Sequence, residues 1–272
     1  MVIWRCAYPI DHRETVSVHR LIELGNVEEL LRSAERFTGG NGLVSTVGPY
    51  PRSILKFSSL SVGEVFGYQI ATALGVRVAR MQGFWTREAV NAPGTYAEPG
   101  RIGVLVEHLA DWRDLGRDYA ASQDADAVTR ALSLCAFDCS EWGSFGESGE
   151  KVYFADLERL SPLFDVEGLL AASDAVRTEM LGTAEGVYAA GTEIMIDEVI
   201  EEADRLGLRR GVARDFRKIS ALRPETYSAL LTLVGHPLDE LISRFSASLF
   251  GRRVNAIAGC VSQPMHKVPA WR

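Results

Sequence analysis

The chain has 272 residues, of which 47% are hydrophobic and 24% are charged, as is ordinary for a folded protein with one large domain or two lobes. The net charge of −7 argues against nucleic acid as a partner, because phosphate backbones need a concentrated basic surface. No apolar run approaches the length of a membrane span, and the first residues lack the pattern of a secretory leader. We therefore expect a cytoplasmic protein that binds neither nucleic acid nor membrane.

The first 109 residues are predicted to be rich in strands, with two helices among them. A capping box at Asn26 predicts a helix to about Phe37, and a second one at Ser61 opens a helix that Gly75 ends. The segment 91–101, which contains two Pro-Gly pairs, is predicted to be a loop. The predicted strands are 15–24, 43–47, Ser53–Phe57, 76–78 with 82–85, and 102–108.

After residue 109 the pattern becomes helical. One extended piece, 152–155, interrupts the helices and is followed directly by Asp156. The order of elements predicts an α+β fold with a β-rich part at 1–109 and a helical part at 110–272. The predicted helices are 126–137, 166–180, 193–206, 224–234 and 237–250, and the basic run from Arg209 to Lys218 is typical of a solvated helix face.

Several enzyme classes have no signal in the sequence. There is no GxSxG elbow, no HExxH motif, and no GxGxxG between a strand and a helix. The parts that phosphoryl transfer needs, in contrast, occur in order. Lys56 on a strand would hold nucleotide phosphates, and Glu64 on the next helix would orient Lys56. The backbone around Glu107 and Leu109 would meet adenine, and Asp156 would hold Mg²⁺.

This order of elements resembles the atypical protein-kinase-like superfamily, in particular the HipA-like toxin kinases and the phosphatidylinositol 3-/4-kinases. The resemblance implies a two-lobed fold with a small β-rich N-lobe and a larger helical C-lobe. It implies that Asp138, 18 positions before Asp156, positions the acceptor hydroxyl. Asp156, with Glu158 as a second carboxylate, would hold Mg²⁺ while the γ-phosphate of ATP passes to a protein or small-molecule acceptor.

The sequence also departs from the family pattern and leaves alternatives open. The asparagine expected about five residues after Asp138 falls at Gly143, and Asp138 has no basic neighbour. A degenerate pseudokinase that acts as a scaffold for a protein partner is therefore a second hypothesis, and an unrelated α+β protein is a third. In the third, Lys56 is a solvated edge lysine, Glu64 completes the capping box, and Asp156 forms an ordinary ion pair with Arg159.

Overall fold

A computed structural model describes residues 19–20, 22–24, 34–36, 43–45, 52–57, 61–87, 89–92, 95–97, 99–115, 124–137, 145–155, 157, 169, 172–190 and 192–262. Within these ranges the fold is α+β, as the sequence predicts. The strands are β1 His19–Arg20, β2 Ile22–Leu24, β3 Ala34–Arg36, β4 Leu43–Ser45, β5 Ser53–Phe57, β6 Met81–Thr86, β7 Val90–Ala92, β8 Thr95–Ala97, β9 Ile102–Glu107, β10 Arg113–Asp114, β11 Phe145–Ser148, β12 Lys151–Phe154 and β13 Leu233–Val234. The helices are α1 Ser61–Ala73, α2 Ala125–Cys135, α3 Asp174–Ala190, α4 Thr192–Arg205, α5 Arg209–Ser220, α6 Pro224–Leu230 and α7 Asp239–Ser262.

A six-stranded sheet forms the first part of the molecule, with the strand order β2-β6-β9-β5-β4-β3. All neighbours in it are antiparallel except β2 and β6, which run parallel. Along β5 the side chains alternate between the two faces of the sheet: Leu55 is buried on one face, and Lys56 lies beside Val104 of β9 on the other. The face of Lys56 and Val104 is the one on which α1 packs.

The helix α1 begins at Ser61 and ends by a glycine cap, in agreement with the sequence. Gly75 has a φ of 72°, and the amides of Gly75 and Val76 bond back to the carbonyls of Thr72 and Ala71. The apolar residues of α1, including Phe66, belong to a buried cluster that continues through α2 to the centre of α7. A single core therefore joins the sheet to the helices.

A three-stranded antiparallel sheet has the order β10-β11-β12; β10 precedes α2 in the sequence, and β11 and β12 follow it. Its last strand, β12, touches the chain just after α1: Val78 bridges Phe154, and the Phe154 amide donates to the Arg77 carbonyl at 2.9 Å. The helix α7 packs against α3, α4, α5 and α6. No helix in the described ranges has both the length and the apolar character needed to cross a membrane.

Five predicted elements differ from the observed ones. The helix predicted at 224–234 ends at Leu230 as α6, because residues 233–234 are the strand β13, which pairs with β1. The helix predicted up to Phe37 is wrong at 34–36, where β3 pairs with β4, because strand pairing overrides the local helical pattern. The loop predicted at 91–101 contains the hairpin β7–β8, in which Ala92 faces Thr95 across a two-residue connection. The helix predicted at 166–180 is wrong at 172–173, which are not helical, and α3 begins at Asp174 and continues beyond the predicted end to Ala190.

The helix predicted to end at Phe250 is also wrong, since α7 continues to Ser262. Gly251, the residue after the predicted end, lies within α7 and is a packing residue. A Cβ at Gly251 would lie 2.8 Å from the Tyr227 hydroxyl oxygen, so the absence of a side chain lets α6 approach α7.

Candidate functional site

Lys56 and Glu64 form an ion pair between β5 and α1. The Lys56 Nζ and the Glu64 Oε1 are 2.8 Å apart, with 27% of the lysine side chain and 4% of the glutamate side chain exposed. The capping box at Ser61 is a second explanation of a glutamate at position 64. In the structure the Glu64 carboxylate accepts a hydrogen bond from the Lys56 ammonium. A nearly buried carboxylate that accepts a charge-assisted hydrogen bond holds a partly exposed ammonium in one place.

The same face of α1 rests on the chain that follows β12. Gly67 lies one helical turn after Glu64, and its Cα faces the backbone of Leu157. A Cβ at Gly67 would be 2.7 Å from the Leu157 Cβ, which is closer than real side chains approach. Only glycine permits this contact, so α1 and the chain at Leu157 are fixed against each other.

Arg77 makes a second connection between the segment after α1 and the strand β12. Its Nη1 donates to the Val152 carbonyl at 3.2 Å and to Asp124 Oδ2 at 3.4 Å, and its guanidinium lies over the Tyr153 ring at 5.8 Å. Together with the contact at Leu157, this anchors the chain on both sides of position 156. The predicted metal ligands Asp156 and Glu158 themselves lie outside the described residues.

The predicted adenine-binding segment includes Glu107, the last residue of β9, and the residues just after it. The amide of Glu107 donates to the Arg80 carbonyl at 2.8 Å, and the amide of His108 donates to the Arg52 carbonyl at 3.0 Å. The carboxylate of Glu107 accepts two hydrogen bonds from Arg80, at 2.9 and 2.6 Å, and these hold its pKa below the usual range. Within the described ranges, the amide of Leu109 makes no backbone bond of this kind.

The linker after Leu109 is fastened to β11. Asp111 has a φ of 56°, which is uncommon for a residue with a side chain and turns the linker sharply. Ser148 donates its hydroxyl to the Ala110 carbonyl at 2.6 Å. The indole of Trp112 covers Gly146 so closely that a Cβ at that glycine would overlap the ring, although 38% of Trp112 remains exposed. An exposed aromatic side chain is thereby held rigidly beside the linker.

The predicted catalytic residue Asp138 lies outside the described residues, but the residue before it does not. Phe137 follows the end of α2, is fully buried, and donates its amide to the Leu134 carbonyl at 3.0 Å. The chain enters the predicted catalytic segment from this fixed point.

Sequence reasoning missed three residues that shape this site: Gly67, Arg77 and Trp112. A glycine inside a helix that is otherwise apolar is a weak signal of close packing, and it was available in the sequence for Gly67. Arg77 and Trp112 carry no such signal, since their roles depend on partners more than 30 residues away, such as Val152 and Gly146.

The described residues contain no group of three or more His, Cys, Asp or Glu side chains that could hold a metal ion. No protein-family model matches the chain, and no curated protein or solved structure is significantly similar to it. The geometry around Lys56 and Glu64 is therefore the basis for a functional hypothesis.

Proposed function

We propose that the protein is a kinase-like phosphotransferase that binds Mg²⁺-ATP between the six-stranded sheet and the chain after β12. The observation that carries the proposal is the ion pair of Lys56 on β5 with Glu64 on α1, beside the contact of α1 with Leu157. A strand lysine paired with a helix glutamate is the arrangement by which protein kinases hold the nucleotide phosphates.

In this proposal each residue has a positioning or electrostatic role. Lys56 binds the phosphates through its partly exposed ammonium, and Glu64 keeps that ammonium in place. Asp156 and Glu158 hold Mg²⁺, which supplies neutralisation of phosphate charge when bound. Asp138 positions the acceptor hydroxyl, so the rate comes from alignment more than from covalent chemistry with the protein.

Two observations on the described residues support a nucleotide site. The Lys56 side chain is 27% exposed, so a phosphate oxygen has access to it. The backbone of Leu109, which is predicted to meet adenine, lies two residues beyond the last residue of β9, and β9 is the strand that pairs with the strand of Lys56.

A second function, nucleotide binding without transfer, is favoured by one sequence observation. The position at which the family has a metal-binding asparagine is Gly143, which offers no side-chain ligand. A protein that keeps the Lys56–Glu64 pair but lacks this ligand would bind ATP and present its surface to a partner protein. Binding and turnover must therefore be measured separately.

The first experiment is a thermal-shift titration with ATP, with and without Mg²⁺, on the wild type and on Lys56→Ala and Asp156→Ala. A ligand that binds only the folded state stabilises it by about 2.7 kcal/mol at a hundredfold excess over its dissociation constant. We expect Lys56→Ala to abolish the shift in both conditions. Asp156→Ala should remove only the part that depends on Mg²⁺.

Matched controls are available close by. Lys151→Ala removes an exposed lysine at the start of β12, and Glu150→Ala removes an exposed carboxylate in the neighbouring turn. Both should respond to ATP like the wild type. A wild type that shows no shift rejects the nucleotide site, whereas a shift without Mg²⁺-dependent release of phosphate or transfer selects the scaffold hypothesis.

A further inference from the structure

A groove runs along the side of α7 that borders α6. Its volume is about 790 Å³, and the part of α7 that lines it, from Asp239 to Asn255, rises by about 24 Å. Residues 232–233 border the groove near the start of α7, where the Leu233 amide donates to the Ser243 hydroxyl at 2.8 Å. The lining residues come from α6, 232–233 and α7, so this groove is separate from the site around Lys56.

Two neighbouring rows of α7 residues face the groove. Residues four apart on a helix stack into a row, with a rise of about 6 Å from one member to the next. The first row forms the floor, where Ala247 and Gly251 are buried, and the second forms an exposed rim. The floor consists of Asp239, Ser243, Ala247, Gly251 and Asn255, and the rim consists of Glu240, Arg244, Ser248 and Arg252.

The floor leaves space for a polypeptide main chain. Ser243, Ala247 and Gly251 have small side chains or none, so a main chain can approach α7 closely along this row. Asp239 is engaged within the fold, because its carboxylate accepts hydrogen bonds from the amides of Gly235 and Glu240. The charges that a ligand in the groove meets are therefore mainly those of the rim.

The rim carries its charges in a definite order: negative at Glu240, positive at Arg244, neutral at Ser248 and positive at Arg252. Glu240 and Arg244 have the spacing at which such residues pair on a helix. Among the described residues, however, Arg244 has no carboxylate within ion-pair distance, whereas Arg205 does. Arg252 makes a contact of its own, but a guanidinium has five N–H donors, and one contact leaves others for a ligand.

The spacing of the rim matches that of an extended chain. Two residues of an extended chain span about 6.6 Å, close to the rise of about 6 Å between rim residues, and alternate side chains point to the same side. The Cα atoms of Arg244 and Arg252 are separated by a rise of about 12 Å. Side chains four residues apart in an extended segment are about 13 Å apart and can meet both arginines at once.

We propose that this groove binds an extended acidic segment of a partner protein. Two carboxylates of the segment, four residues apart, lie opposite Arg244 and Arg252, and a basic residue two positions from the first carboxylate lies opposite Glu240. Because the whole chain has a net charge of −7, its mean field repels acidic partners, and the local charges of the rim must supply the attraction. The proposal goes beyond the proposed function and does not rest on it.

Fluorescence anisotropy of labelled heptapeptides, titrated with the full chain, tests the spacing. The peptide KAEASAE presents a lysine and two glutamates on one side of an extended chain in the order that the rim requires, and EASAEAK presents them in the opposite chain direction. We expect one of the two to bind saturably, and more weakly as salt is added. The isomers KAESAEA and AEASEAK place their glutamates three residues apart, on opposite sides, and should bind about fivefold more weakly or less.

Charge reversal tests the position. Arg244→Glu replaces an attraction by a repulsion and should weaken binding at least about tenfold. A peptide in which the facing glutamate is lysine, KAKASAE or its reverse, should restore binding to this variant. Arg217→Glu is the matched control, since it changes the net charge equally at an exposed position of α5 outside the groove. It should bind the original peptide like the wild type.

Several results would overturn the proposal. Equal binding of the peptides and their isomers would mean that charge acts without regard to spacing, and equal loss in Arg244→Glu and Arg217→Glu would mean that only net charge acts. Absence of saturable binding in both chain directions would reject the groove as a peptide site. A dimer in sedimentation that Arg244→Glu abolishes would make a second copy of the chain the occupant. The ATP titration decides the proposed function independently, because no nucleotide is present in these assays.

Discussion

The substitution Gly67→Ala tests most directly how closely α1 packs against the chain at Leu157. A Cβ at Gly67 would lie 2.7 Å from the Cβ and 2.9 Å from the carbonyl carbon of Leu157, where ordinary contacts measure 3.4–4 Å. Because the obstacle includes backbone, α1 or the chain at Leu157 must move by roughly 1 Å to admit the methyl group.

Two opposing effects set the size of the change. Alanine is a better helix former than glycine by about 1 kcal/mol, which favours the variant. Overpacking a well-filled interior costs about 1–3 kcal/mol, which opposes it. Gly182→Ala in α3 isolates the first effect, since nothing lies within 4 Å of a Cβ there. Relative to Gly182→Ala, we therefore expect Gly67→Ala to be less stable by about 1–3 kcal/mol.

Urea denaturation of both variants measures this difference, provided that the slope m stays that of the wild type. The thermal shift that Mg²⁺-ATP causes in each variant tests whether the same contact also affects nucleotide binding. Glu64 lies one turn before Gly67, so a displaced α1 weakens the pairing with Lys56 and should reduce the shift. If Gly67→Ala is as stable as Gly182→Ala and responds fully to ATP, the contact with Leu157 does not constrain the site.

Three further outcomes are expected. Lys56→Met should lower the free energy of unfolding by about 1–3 kcal/mol, because it removes a charged partner of the buried Glu64 carboxylate, and its effect should not add to that of Glu64→Gln in a double-mutant cycle. Burial lowers the pKa of His236 from its usual 6.5, so the unfolded chain takes up that proton at a higher pH than the folded one. The stabilisation that the neutral, buried imidazole of His236 provides should be complete above pH 6.5 and decline as the pH falls below 6.5. Chemical denaturation at a series of pH values measures this dependence, and His236→Asn should lack it. Gly146→Ala should displace the indole of Trp112, which tryptophan fluorescence and a fall of a few degrees in Tm would report.

For each of these three predictions, one result would contradict it. Additive effects of Lys56→Met and Glu64→Gln would mean that the two side chains stabilise the fold independently. A pH profile of stability that is the same in His236→Asn and the wild type would assign the dependence to other groups. Emission from Gly146→Ala identical to that of the wild type would mean that Trp112 does not rest on that glycine.

The pairing of Lys56 with Glu64 could be predicted from the sequence because local rules place each of the two residues in its strand or helix. The alternation of strand residues and the capping box at Ser61 put each in a definite element, and the short connection between the elements brings them together. The strand β3 was not predicted, since residues 34–36 are extended only through pairing with β4. Local patterns carry no information about such a partner.

Arg252 and Arg253 illustrate the same limit within one helix. They are adjacent, identical in type and equally helical, yet one is exposed and the other is 1% exposed. Charged residues are almost never fully buried, so sequence alone places both at the surface. Arg253 donates a hydrogen bond to the carbonyl of Phe137, which lies 116 residues earlier in the chain, and no local pattern reveals such a partner.

The strand β9 is attached to the helical part at both of its ends. At one end the chain continues through the linker at Ala110. Near the other end, the Nε2 of the buried His236 lies 2.8 Å from the Gly100 carbonyl oxygen, and the His236 ring contacts the Trp85 ring in an edge-on arrangement. The two attachments are separated by the length of a six-residue strand, roughly 20 Å. Movement of β9 away from the helical part about this linker would have to break the His236 contact, so the two attachments together hold β9 against the helical part.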